Sequence, residues 1–317
     1  MFETAQVSST ILTRLHLMQS FWATVKFTAK LFSSQRKLWI PFLVTALAEA
    51  VLILALWLAP QSPLSKLLAP PLRYFFGERV LHYPAHLWFL YHAMKHTHII
   101  ASTILGAFFT GVACVMVRQA RTGQPMSLRQ ALVGKEVPYG RVTCLWLLTW
   151  GVATGLTEGM LHALPTKTLW MFWLVVAVTL FLQTLFVYTI PAAVFERVTW
   201  WKTLLRAVSE TVRYPLSTFL LVAIPTSLIV LFAMMAPETR VAHWMEQKMP
   251  EIVIVFVAAR LFVWTLTDAV LTVAVAHLWW SHRATNPAPQ PALSAAPTLR
   301  KQVTPHTRTI INKRVVA

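Results

Sequence analysis

Leu38-Trp39-Ile40-Pro41-Phe42-Leu43-Val44-Thr45-Ala46-Leu47-Ala48-Glu49-Ala50-Val51-Leu52-Ile53-Leu54-Ala55-Leu56-Trp57-Leu58-Ala59 holds a single ionisable side chain, Glu49. About 20 mostly apolar residues in a helix cross the ~30 Å hydrocarbon core of a bilayer, so this stretch is long enough to span. It starts directly after Arg36-Lys37 and stops at Pro60, a basic flank and a helix-ending residue. On its C-terminal side five more stretches qualify, at 99–117, 142–163, 169–194, 216–236 and 252–280. The fourth and sixth are long enough to tilt, and the turn near Pro165-Thr166-Lys167 separates the third from the fourth. The expected fold is an all-α polytopic membrane protein with six transmembrane helices.

Composition agrees with that class. The 317 residues are 56% hydrophobic and 12% charged, about half the charged share of an average soluble domain. The formal net charge of +17 is not gathered into one basic domain, so nucleic acid is not expected as a partner. Instead it alternates with the spans. Lys and Arg number twenty over the N-terminal segment, the loops after spans two and four, and the tail. The opposite loops hold seven: Lys66, Arg73, Arg79, Lys95, Lys167, Arg240 and Lys248. The positive-inside rule then puts both termini in the cytoplasm, and compact loops without organelle signals favour a bacterial inner membrane. Two cysteines, Cys114 and Cys144, exclude a disulfide framework and a Cys-based zinc site.

The chain divides into a cytoplasmic amphipathic helix in 1–37, a transmembrane domain over 38–280 and a basic, Pro-rich tail over 281–317 expected to be disordered. In the first part, Ile11, Leu15, Met18, Trp22, Val25, Ala29 and Phe32 repeat at steps of four and three, giving one apolar stripe. Such a helix would lie on the inner leaflet with its Lys and Arg at anionic headgroups. Similar units recur at Ser127–Arg141 and at Trp201–Pro215, each an Arg-containing apolar helix, a joint with Tyr and Pro, then a span. Three units of two spans each would make a threefold internal repeat.

The pattern resembles the bacterial membrane domains that accompany glycerophosphodiester phosphodiesterases, and their stand-alone multi-pass relatives. The likeness lies in an amphipathic helix before Leu38-Trp39-Ile40-Pro41-Phe42, the exit Tyr188-Thr189-Ile190-Pro191-Ala192-Ala193-Val194-Phe195-Glu196, and the subsequent Arg213-Tyr214-Pro215. It covers most of 15–280. The catalytic phosphodiesterase domain is absent, so the resemblance implies a helical membrane module without chemistry of its own.

Ionisable groups inside a span are costly and should face protein or water. Four fall there: Glu49, Glu158, Arg260 and Asp268. By the helical rise, Glu49 and Asp268 share a level near the middle of their spans, while Glu158 and Arg260 lie outward at matching depths and could pair. Gly151, Gly155 and Gly159 form a small-residue stripe for close helix packing, and Pro225 is expected to kink span five. His82, His86, His92, His96 and His98 crowd the outer segment before span two. Imidazoles there could hold zinc or copper, but an interfacial helix with Trp88, Tyr91 and the His rings at headgroup level is the simpler reading.

No Gly-rich phosphate loop, nucleophile elbow or His-Glu-x-x-His appears, so neither a cofactor nor an enzymatic reaction is expected. The function these features point to is that of a non-enzymatic structural or accessory component engaging lipids and a protein partner or second copy. The alternative is a transporter or channel subunit using Glu49, Glu158, Arg260 and Asp268, which a cavity reaching Glu49 and Asp268 would favour. A metal-dependent membrane enzyme built on the 82–98 histidines comes third.

Overall fold

The computed structural model describes residues 21–133, 136–163, 169–196, 198–234 and 251–285; among these every regular element is helical. The helices are α1 (21–34), α2 (Ile40–Trp57), α3 (Ser65–Phe76), α4 (Ala85–Ala101), α5 (Ala107–Arg121), α6 (Leu128–Val133), α7 (Tyr139–Ala163), α8 (Leu169–Phe186), α9 (Thr189–Phe195), α10 (Trp200–Arg213), α11 (Pro215–Met234) and α12 (Ile252–Thr285).

Four helices are long and apolar enough to cross a membrane: Arg36–Trp57, Ala85–Arg121, Trp170–Phe195 and Ile252–His282. In three of these apolar windows only 17–22% of the residues are buried within the bundle. Leu43, Leu47, Val51 and Leu54 line the outside of α2, and Phe262 stands 68% exposed on α12. Helices so apolar on their outer faces need a lipid solvent, and the protein is membrane-embedded. α7, the expected third span, is not among the four, and α11 qualifies only together with α10, across a 98° bend.

Helix α12 is the central post. It packs on α2, α4, α5, α9 and α11, while α7 and α8 pair beside it. The C-terminal half of α5 is buried all round from Gly111 to Val117, so it too is interior. One core joins that run to Leu38, Phe42, Val142, Leu145, Ala193 and Val273. Toward the other end, Leu87, Leu90, Tyr91 and Met94 of α4 pack on Val253 and Val257 of α12, with Ile53 and Leu56 against them. At that same end the Tyr83 hydroxyl donates to Glu251 Oε1 at 2.7 Å. The bond holds the Glu251 carboxyl below its ordinary range and pushes the Tyr83 phenol up.

The structure corrects several expectations. Span two does not begin at 99: Ala85–Arg121 is one 37-residue helix, interrupted only by a π-helical turn at Ser102–Gly106. His92, Lys95, His96 and His98 depress its hydropathy, while Leu87, Tyr91, Met94 and Thr97 give it a buried face against α2 and α12. This segment is therefore part of the bundle, not a helix lying at headgroup level. The described part of the N-terminal helix also packs a second face on the bundle. Phe21, Thr24, Thr28 and Leu31 are buried, Trp22 and Ala29 are exposed, and Phe27 stacks on His277 at 3.8 Å. Residues 1–20, the turn at 164–168 and the tail from 286 lie outside the described residues. Finally, α11 runs on through Pro225, and the sharp bend falls at Tyr214, ahead of Pro215. The residue before a proline resists the α conformation, which is why α10 ends there.

Candidate functional site

Helices from both ends of the chain converge on a cavity of about 210 Å³ within the bundle. One water needs only ~10–15 Å³ on this measure, so the space holds several. Glu49, Thr45 and Phe42 come from one face of α2. His98, Ser102, Gly106 and Thr110 come from the α4–α5 helix, and Trp264, Thr265, Asp268 and Thr272 from α12. Trp146 of α7 and Pro191 of α9 complete the wall. The cavity therefore lies between the two apolar cores, roughly 16 Å long if counted from residue 264 to residue 275 of α12 at the helical rise.

Glu49 is 2% exposed. Its Oε2 accepts from His98 Nδ1 at 3.0 Å, and its Oε1 is enclosed without a hydrogen-bond partner. A buried carboxylate oxygen without a donor is expensive, and native structures rarely keep one without a reason. Asp268 lies deep among protein atoms, with His98 and Glu49 as its electrostatic neighbours. It is nevertheless accessible, as an exposed residue in the cavity lining. Two carboxylates and one imidazole thus meet where Thr45, Ser102, Thr110, Thr265 and Thr272 add hydroxyls. That is a lining suited to a proton or a small cation and to the waters that would carry it.

The Ser102–Gly106 π-turn explains how one helix supplies both halves of the wall. An extra residue in the turn shifts the face presented by α5 relative to that of α4. Gly106 lies in close contact: a Cβ there would meet Ser102 Cβ at 3.3 Å and Thr45 Cγ2 at 3.4 Å. Such turns concentrate at functional sites.

Arg260 stands beside the cavity, one helical turn from its lining residue Trp264. Its guanidinium lies over the Trp264 ring at 4.4 Å and over the Tyr91 ring at 5.2 Å, both cation–π contacts. The His98 ring meets the other partner in this column, Trp264, at 4.0 Å. Arg260, Trp264 and Asp268 succeed one another at intervals of four along α12, so they share a face. The Glu158 side chain, expected to pair with Arg260, lies outside the described side chains.

The remaining sequence candidates disperse. His86 has both ring nitrogens at 2.9 Å from backbone carbonyls, of Val80 and of Trp57, which leaves no lone pair free for a metal. His82 pairs with Glu78 at 3.7 Å, His92 bonds the Trp88 carbonyl, and His96 is exposed. Among the described residues no group of three or more His, Cys, Asp or Glu is placed to hold a metal ion. Gly151, Gly155 and Gly159 face outward, and a Cβ on any of them would meet nothing within 4 Å. Sequence reasoning placed Glu49 and Asp268, counted His98 only among the histidines that could hold a metal, and missed Trp264 and the hydroxyl-bearing wall. The signal for His98 was its spacing of seven from Tyr91 and four from Met94, on the buried face of α4.

No protein-family model, no curated protein and no solved structure matches this chain.

Proposed function

We propose that this protein transports a small cation, in the simplest case a proton, across the membrane through the Glu49–His98–Asp268 cavity. The observation that carries the reading is the meeting of a buried carboxylate, Glu49, held by His98, with a second carboxylate, Asp268, on the wall of one cavity. A proton or cation in the cavity would be shared among Asp268, Glu49 and His98, which bonds Glu49 and is an electrostatic neighbour of Asp268. Arg260, held over the ring of the lining residue Trp264, places a positive charge beside the cavity that would oppose the passage of cations. In this proposal the chain has six spans, both termini face the cytoplasm of a bacterial inner membrane, and the three joint-preceded spans derive from a repeated unit.

The test is flux in sealed proteoliposomes, with an interior pH dye and an imposed potential. The wild-type protein should conduct protons, and Asp268→Asn and Glu49→Gln should each lower the rate by about tenfold or more, the size of a lost proton-transfer group. Wild-type vesicles no faster than protein-free ones, across protons and alkali cations, would sink the reading.

One observation favours the accessory reading as a second possibility. The Gly151, Gly155 and Gly159 stripe is open on the outside of α7, where a partner helix or second copy could approach closely. Intermolecular cross-linking between cysteines placed at Thr154 in two copies would support it; a strictly monomeric, partner-free preparation would not.

A further inference from the structure

Helix α10 leaves α11 at 98°, so with α11 across the bilayer α10 lies along its surface. Two stripes run along its outer side. Trp201, Leu205 and Val212 are exposed apolar residues at steps of four and seven, and beside them Lys202, Arg206 and Arg213 make a basic row. The opposite side, Thr203, Leu204, Ala207 and Thr211, is buried on α8 and α9. Thr211 fixes the placement. Its Oγ1 lies 3.2–3.3 Å from the carbonyls of Thr184, Leu185 and Ala207, so its one hydroxyl hydrogen can be donated to an open carbonyl at the end of α8.

Beneath the end of α10 this arrangement leaves a groove of about 660 Å³ between α8, α10 and α11. Its walls are Phe181, Leu185, Val212, Leu216 and Phe219, with Thr211 and Pro215 at the corner. The groove is almost wholly apolar and lies on the lipid-facing side of the bundle. Arg213 falls in sequence between the lining residues Val212 and Pro215 and is exposed, its guanidinium 5.6 Å from the centre of the Tyr214 ring, and Lys202 and Arg206 continue the positive row along α10.

We infer that this groove is a binding site for an anionic phospholipid of the leaflet that contacts α10. One acyl chain fills the groove between α8 and α11, and the phosphate lies on Arg213, with Lys202 extending the positive surface. Arg206 is partly committed to Glu196 and contributes less. The occupant is a lipid and not free phosphate, because the volume lies in an apolar groove with no cation in its lining, while the exposed cations lie along the neighbouring surface of α10. Charge complementarity selects an anionic headgroup over a zwitterionic one. The site is separate from the Glu49–Asp268 cavity.

The experiment uses the full chain in neutral detergent, with phosphatidylglycerol, phosphatidylcholine of identical chains, and inorganic phosphate as probes. Binding is read by native mass spectrometry and by thermal unfolding. Phosphatidylglycerol should bind and raise the melting temperature more than phosphatidylcholine, and inorganic phosphate should do neither. The Arg213→Gln/Lys202→Gln variant should bind phosphatidylglycerol about tenfold more weakly, a loss of the size expected for one charged contact. Leu216→Trp, which fills the groove, should weaken both lipids. Should Leu216→Trp fail to fold, Phe181→Trp fills the same space from the α8 side. Equal affinity for the two lipids, an equal effect of inorganic phosphate, or phosphatidylglycerol binding that neither variant disturbs would overturn the inference.

Discussion

Among single residues, Glu49 and His98 behave as one unit. Their 3.0 Å contact is buried on the glutamate side, and removing His98 takes away the one protein donor to the Glu49 carboxylate. His98→Leu should therefore cost about 2 kcal/mol of stability. The double variant Glu49→Leu/His98→Leu should recover most of that loss, since replacing both partners by apolar groups is close to neutral. Thermal unfolding in detergent checks this, and a double variant no better than His98→Leu would mean the two do not act as a pair. Glu49 and Asp268 were legible in the sequence because a charge inside an apolar run stands out. His98 stood out only as one of five clustered histidines, because the run His92–His98 lowers the hydropathy and reads as an interfacial helix ahead of the span. Only the helical spacing of Leu87, Tyr91, Met94 and His98 reveals a buried face.

Among the helices, the two sets of glycines do opposite things. Gly111 is enclosed: an added Cβ would lie 2.6 Å from Val137 Cγ1 and 3.4 Å from Val194 Cγ2. Val137 is β-branched and stiff, so it gives way poorly. Gly111→Ala should destabilise by about 1–3 kcal/mol, the usual cost of overpacking. Gly151→Ala meets nothing within 4 Å and should be neutral or stabilising by up to ~1 kcal/mol, from helix propensity alone. Melting temperatures of the two variants in detergent decide it, and a Gly151→Ala loss matching that of Gly111→Ala would contradict the outward placement of that stripe. From sequence the stripe at 151–159 was conspicuous and Gly111 was not, because close approach depends on which helix lies opposite. The joint at Tyr214-Pro215 shows the same limit. Both Pro215 and Pro225 were visible, but the bend falls at Pro215, where a surface helix meets a span, while α11 continues through Pro225.

For the molecule as a whole, the class of protein was legible because it depends on composition and run length, which no packing detail alters. The helical, membrane-embedded bundle is a consequence of the apolar runs. What those runs enclose is not. The cavity is assembled from α2, α4, α5, α7, α9 and α12, whose lining residues stretch from Phe42 to Val275, and no local pattern records that meeting. Transport through this protein requires a water-accessible acidic cavity inside a lipid-embedded bundle. Reaction with a small, membrane-impermeant charged thiol reagent in native membranes tests for it. Asp268→Cys and Phe262→Cys would each be placed in a background with Cys114 and Cys144 replaced by Ala. Phe262 is 68% exposed but on the lipid side, whereas position 268 faces the cavity. Asp268→Cys should be labelled and Phe262→Cys should not. Labelling of Phe262→Cys with Asp268→Cys inert would contradict both the lipid-facing outside and the wet interior.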